Sequence, residues 1–274
     1  MAKAFSIASW NVEHFKGDPA RTDRVIAFLE AQNPDIIGLY EVEGKEVFAT
    51  LTRRFPGYSF QITEGPQTQE ILVGFRAGMS VFMTQKIQFK SGTTHMRPGL
   101  LATVSVSGAQ YIVLFLHLAS HVEPRGFGLR DDMAIRAIKF RKTLDRATGG
   151  GANYIFLGDL NTMGMDYPYK QAISAETELR RWDFRASRYY GLRRLSKTFD
   201  LTFSNGSRSS IPDSNLDHVY ASKHLRFAEF EPDGGTRGEV DVRGWVNKTT
   251  TSQRDRWIER YSDHSLLYLE VQKV

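Results

Sequence analysis

The chain has 274 residues and is 41% hydrophobic, enough to bury a sizeable core, which argues against extensive disorder. It has no cysteine, which excludes a disulfide framework, thiolate metal ligands and a cysteine nucleophile. Thirty-six basic against 31 acidic residues give a formal charge of +5, and the pI near 9.3 mildly favours an anionic partner such as nucleic acid.

The amino terminus leads directly into a strand pattern, Phe5 to Val12, whose end carries Asn11 and Glu13. There is no long apolar signal core before it and no stretch long enough to cross a bilayer, so a cytoplasmic location is the expectation. Asp18-Pro19 is a helix start, with Asp as cap and Pro at the first helical position, and Val25, Ile26 and Leu29 form the apolar stripe that follows. Asn33-Pro34 stops it. The buried strand Asp35 to Tyr40 then ends in Glu41. Strand, helix, strand at this spacing implies a parallel pair joined by a right-handed crossover, which puts Glu13 and Glu41 at one edge.

A helix is expected at about 44–55, followed by strands at 58–62, 70–76 and 79–83 that read as an antiparallel meander. Strands 100–106 and 110–117 are joined by Ser107-Gly108-Ala109, a hairpin turn, and the second ends in His117. The spacing of Met133, Ala137, Phe140 and Leu144 predicts a helix over 129–147, and three glycines then lead into Tyr154-Ile155-Phe156-Leu157-Gly158-Asp159-Leu160-Asn161. This is a buried strand ending in two polar residues. The pattern weakens until the strand at 216–221, which follows a loop over 205–215, and the last strand, 265–271, is preceded by Ser262-Asp263-His264. No fixed-period repeat or linker breaks the chain, so one domain over 1–274 is expected.

Five predicted strand ends thus carry Asn11 and Glu13, Glu41, His117, Asp159 and Asn161, and Asp217, with Asp263 and His264 just before a sixth strand. Singly, each is as readily a turn or cap residue. The ordered set Ser9-Trp10-Asn11-Val12-Glu13, Leu39-Tyr40-Glu41, Gly158-Asp159-Leu160-Asn161, Leu216-Asp217-His218 and Ser262-Asp263-His264 resembles the endonuclease/exonuclease/phosphatase superfamily. That superfamily includes pancreatic-type deoxyribonuclease, abasic-site endonucleases, neutral sphingomyelinases and inositol-polyphosphate 5-phosphatases.

The resemblance implies an α/β fold of four layers, two mixed β-sheets packed face to face with helices on the outside, and metal-dependent hydrolysis of a phosphoester. It implies Glu41 as principal metal ligand, with Glu13 and Asp263 as further candidates. Oxygen donors without thiolates suit a hard ion such as Mg²⁺, with Mn²⁺ or Ca²⁺ as alternatives. It also implies Asn11 and Asn161 on the phosphate oxygens or the attacking water, Asp159 orienting that water, and His264 paired with Asp217. Gln69 to Arg76 and Leu114 to His117 look like the deoxyribonuclease and sphingomyelinase branch. There Glu70 would orient His117 as a general acid, and Arg97 would contact phosphate. Two departures stand out: Tyr40 where the family usually has glutamine, and Glu13 where many members carry aspartate.

Between Arg180 and Lys197, arginines including Arg181 and Arg185 alternate with Trp182, Phe184, Tyr189 and Tyr190. This suits either contact with nucleic acid or an amphipathic helix with a solvated basic face. A second basic stretch, 234–260, leads into Asp263. The expectation is a Mg²⁺-dependent phosphodiesterase acting on DNA or RNA. The alternatives are a small-molecule or lipid phosphoesterase of the same superfamily and a non-catalytic nucleic-acid-binding module.

Overall fold

A computed structural model describes residues 2–65, 69–169 and 171–274. In chain order the elements are β1 (Lys3–Phe15), α1 (Pro19–Gln32), β2 (Ile36–Val42), α2 (Lys45–Arg54), β3 (Tyr58–Ile62), β4 (Glu70–Arg76), β5 (Ser80–Lys86), β6 (Gly99–Val106), β7 (Ala109–His117) and α3 (Pro124–Thr148). They continue with β8 (Asn153–Asp159), α4 (Ala175–Tyr190), β9 (Leu192–Arg194), β10 (Asp217–Ser222), β11 (Asp241–Arg243), α5 (Thr251–Arg260) and β12 (Leu266–Gln272). The strands form two six-stranded sheets, ordered β11-β12-β1-β2-β4-β3 and β5-β6-β7-β8-β10-β9. Among the described residues no helix is long and apolar enough to cross a membrane.

Each sheet has a parallel pair near its middle, β1/β2 and β7/β8, joined by a crossover helix; β12/β1 and β10/β8 are antiparallel. The carboxyl ends of four parallel strands therefore meet the amino ends of β10 and β12 at one rim. This is the structural origin of the polar strand ends.

Alternation along the strands sorts the side chains into layers. Ile7, Ile36, Val73, Val113, Phe115, Ile155, Leu157, Val219 and Leu269 fill the space between the sheets. Their neighbours face outward: Leu114, Tyr154 and Phe156 under α3 and α4, and Trp10, Ile37 and Leu39 under α1, α2 and α5. The result is the expected order of helix, sheet, sheet, helix. Burying each such side chain is worth about 1.5–3 kcal/mol.

Local signals explain the element ends. Asp18 Oδ1 accepts the Ala20 and Arg21 amides at 2.9 and 3.1 Å, and Asn33 closes α1 in the left-handed conformation at φ 47°. Ser107 and Gly108, at φ 52° and 85°, make the tight β6–β7 turn. Helix α3 begins at Pro124, five residues before its apolar spacing becomes regular. Gly126 lies in that first stretch, where an added Cβ would sit 2.7 Å from the Ser120 carbonyl, so the low-propensity residue permits a close helix–loop contact.

The expected meander is corrected in one place. β3 and β4 pair, but β5 leaves them and pairs with β6 in the other sheet. The turn after Arg76 thus changes sheets, because β5 completes the second sheet's edge.

Candidate active site

Strand β1 carries Asn11 to the rim. Its Nδ2 donates to Glu41 Oε1 at 3.0 Å and to Asp159 Oδ2 at 2.9 Å, while its Oδ1 accepts the Glu13 amide at 3.0 Å. One amide thereby ties the two sheets together. Beyond it the β1/β2 register shifts, and Glu13 and His14 adopt φ of 39° and 44°. Glu41 and Asn161 are also left-handed, at 59° and 51°. Non-glycine residues in this region cost about 1–3 kcal/mol each and persist where their surroundings fix them. Here the fixing bonds are explicit: Glu41 Oε2 accepts the His14 amide at 3.0 Å, and Asp159 Oδ1 accepts the Asn161 amide at 3.0 Å.

Asp159 is the hub. Its Oδ2 lies 3.5 Å from His117 Nε2 and 3.8 Å from His264 Nε2, and His264 Nδ1 is 2.8 Å from Asp217 Oδ2. Two sets of groups lie close enough to share an ion, Glu41 with His117 and Asp159, and Asp159 with Asp217 and His264.

Burial pushes the Asp159 carboxyl up to about 7; the His264 charge opposes this and Asp217 adds to it. Burial also pushes Asp263 up to about 6, against His264 and with the Glu13 and Glu41 carboxylates. For His264 burial works downward, but Asp217 and Asp159 override it and hold the imidazole well above its ordinary value. For His117 burial lowers the value, and Arg97 and His264 lower it further. One imidazole is thus held charged and the other neutral, the kind of separation that divides acid–base roles.

The donor set fits a divalent cation. Several carboxylates are crowded at the rim, where a cation's charge would neutralise them, and a neutral imidazole stands beside them. Glu13 and Asp263 lie near Glu41 but belong to neither close-set group.

The proposed pairing of Glu70 with His117 is not formed. Glu70 hydrogen-bonds to Thr63 Oγ1, and His117 Nδ1 is buried with no partner among the described residues. The preceding residue, Gln69, reaches the rim instead, with Nε2 3.3 Å from Glu41 Oε2. A register shift between Leu39 and Val42, where β2 meets β4, accompanies this. Arg97 does approach, donating Nε to the Gln69 carbonyl at 2.8 Å and Nη2 to its side chain.

Arg181 and Arg185 lie on α4 in the outer helical layer. Arg181 pairs with Asp131, and Arg185 is exposed. The stretch forms a helix that buries Leu179, Trp182 and Ala186 and exposes Phe184 and Tyr189 alongside Arg185. In the stretch 234–260, Arg243 pairs with Asp241 and Arg254 with Asp213 and over the Trp245 ring, while Arg256 is exposed.

Sequence reasoning missed several contributors. Phe203 packs edge-on to the His264 ring at 5.1 Å, Trp10 Nε1 donates to the His264 carbonyl at 2.8 Å, and Ser262 Oγ accepts the His264 amide at 3.0 Å. Ser262 and Trp10 had local signals, their places in the motifs that carry His264 and Asn11; Phe203 had none. Tyr40, the departure from glutamine, turns inward: its hydroxyl is 3.0 Å from Ser9 Oγ, and its ring lies edge-on to His117 at 6.2 Å. Gly158, at φ 138°, leaves it room, since a Cβ there would fall 2.7 Å from the Tyr40 hydroxyl.

Lys197 is buried beneath the dyad, with Nζ donating to the Asp217 carbonyl at 2.9 Å and to Asn215 Oδ1. Burial lowers it to about 7, against the pull of Asp217. The unfolded chain, near the ordinary 10.5, binds more protons between these values, so stability rises from pH 7 to pH 10.5. In the Lys197→Met variant this rise is expected to vanish. Urea titrations at pH 7 and pH 10 check it, and equal slopes with pH in the two proteins would refute it.

Comparison with known proteins accords with this geometry. No curated protein sequence matches. Among solved structures, a truncated TDP2 from Caenorhabditis elegans superposes with a TM-score of 0.67 at 15% identity, over 98% of this chain and 97% of that one. D. rerio TDP2, complexed with a single-strand DNA product, gives 0.66 at 18% identity, over 98% and 99%. The mannosyl-6-phosphatase Bt3783 of Bacteroides thetaiotaomicron gives 0.60 at 15% identity, over 98% and 100%. At these identities the likeness is one of fold. A sequence model of the Endonuclease/Exonuclease/phosphatase family matches residues 8–264, a span that starts just before the β1 motif and ends at the dyad histidine. The chain belongs to that family, whose members are hydrolases of phosphoric esters.

Proposed function

We propose that this protein is a Mg²⁺-dependent phosphodiesterase that cleaves nucleic acid. The observation that supports it most is the convergence on Asp159 of two imidazoles, His117 and His264, beside the Glu41 carboxylate. In this reading Glu41, with Glu13 and Asp263, holds the ion, which supplies charge neutralisation at the phosphate. Asp159 orients the attacking water. His264, kept charged by Asp217, donates to the developing oxyanion. Asn11 and Asn161 position the phosphate or the water, and Arg97 contacts the phosphate. His117, kept neutral, serves as a ligand or hydrogen-bonding group instead of protonating the leaving oxygen, and Glu70, accepting from Thr63, ties β4 to the segment after β3.

The +5 charge favours nucleic acid as substrate, as does the DNA product held by the zebrafish relative. A small-molecule phosphoesterase is the second reading, favoured because Arg181, Arg243 and Arg254 are engaged by carboxylates of the protein itself. The deciding experiment incubates the purified protein with plasmid and single-stranded oligonucleotide in Mg²⁺. Cleavage is expected, and it should stop with EDTA and in Glu41→Ala. Hydrolysis of phosphate monoesters, sphingomyelin or phosphoinositides alone would select the second reading. Salt-sensitive, Mg²⁺-independent DNA binding without turnover would mean a binding module.

A further inference from the structure

A cleft of about 390 Å³ opens beside the candidate site, and Gln69 is part of its wall. The same Gln69 side chain that reaches Glu41 also accepts from Arg97, so the cleft is one residue removed from the candidate metal ligand. His95, Arg97, His121 and Arg125 line it, against a single carboxylate, Glu123. Arg97 spends Nε and Nη2 on neutral oxygens of Gln69, and Arg125 is exposed at the start of α3. Arg181, Arg194, Arg243 and Arg254 each face a carboxylate.

The wall is fixed from behind. Arg130, fully buried, donates to the Ala119 carbonyl at 3.2 Å, the His121 carbonyl at 2.9 Å and the Gly164 carbonyl at 2.6 Å, and pairs with buried Glu178 at 2.8 Å. These bonds hold His121 at φ 83°. A cationic cleft whose shape is set before a ligand arrives loses little ordering entropy on binding.

We propose that this cleft is a subsite for a second phosphate of the substrate, adjacent along the chain to the phosphate at the candidate site. The inference rests on the phosphodiesterase reading and narrows it: the preferred substrate carries at least two consecutive phosphodiesters. Guanidinium groups match phosphate oxygens in geometry and charge, and the nearby Glu123 opposes an anionic ligand less strongly than the two arginines favour one.

The test compares kcat/KM for thymidylyl-thymidine, with one phosphodiester, and its trinucleotide homologue, with two, in Mg²⁺. Wild type is expected to prefer the trinucleotide by about tenfold or more, since a hydrogen bond to a charged group is worth that factor. Arg125→Gln should raise KM for the trinucleotide and reduce the preference toward unity, with kcat/KM for the dinucleotide within about twofold of wild type. Arg125→Lys should retain most of the preference, which separates charge from folding; melting curves check that each variant is folded. Equal kcat/KM for the two substrates in wild type, or a preference untouched in Arg125→Gln, would overturn the subsite while leaving the phosphodiesterase intact. No hydrolysis of either substrate would instead overturn the phosphodiesterase reading and the subsite with it.

Discussion

Asp217→Asn is expected to fold normally and to lose about 10³- to 10⁴-fold in kcat toward bis(p-nitrophenyl) phosphate, the scale seen when an imidazole-orienting carboxylate becomes an amide. The Asp217 carboxylate accepts from His264 Nδ1 at 2.8 Å. An amide can present its NH₂ there, which favours the wrong tautomer, and it removes the largest of the three negative charges, Asp217, Asp159 and Asp263, that hold the imidazole up against burial. The sign follows: with the raising anion gone, the His264 value falls, so a step that needs the imidazolium is lost at lower pH than in wild type. The pH profile of kcat should therefore shift its alkaline limb downward as its plateau drops. Folding should survive because the backbone around Asp217 is held independently, by Thr202 Oγ1 accepting its amide at 3.0 Å and Lys197 reaching its carbonyl at 2.9 Å. A kcat within tenfold of wild type and an unmoved alkaline limb would remove His264 and Asp217 from the reaction.

Arg130→Met is expected to destabilise the protein by about 3–5 kcal/mol, because it leaves Glu178 buried without its counter-charge. For a chain of this size that lowers Tm by roughly 10 °C. Burial already raises the Glu178 carboxyl, and Arg130 is the largest influence opposing it. The guanidinium also satisfies three carbonyls, at Ala119, His121 and Gly164, so its removal frees the two loops that follow His117 and Asn161. The double variant Arg130→Met/Glu178→Leu should recover a large part of the Tm without restoring the loop bonds, so stability and activity are expected to part company in it. Thermal unfolding of the three proteins, read beside kcat/KM, measures both. A single variant as stable as wild type would show that the pair does not hold these loops.

The sequence by itself determined most of the strands and helices and the order of polar positions; the four layers came with the family resemblance. Apolar runs such as Tyr154 to Leu157 have one physical use, a strand covered on both faces, and Asp18-Pro19 can cap only the helix it begins. The strand ends were equally legible, since a change from apolar to polar at Asn11, Glu41, His117 and Asp159 marks where the sheet leaves the core. Tertiary structure alone decided which side chains meet there. Glu70 and Gln69 are neighbours in the chain, yet one bonds Thr63 and the other reaches Glu41, because strand faces alternate and a register shift sets which face is presented. Likewise packing assigns carboxylates to Arg181, Arg194, Arg243 and Arg254 among the arginines at 180–197 and 234–260, whereas Arg185, Arg256 and, in the cleft, Arg125 stay exposed. Charge is a property of composition, but whether a charge is spent inside the protein or left for a ligand depends on contacts between residues far apart in the chain.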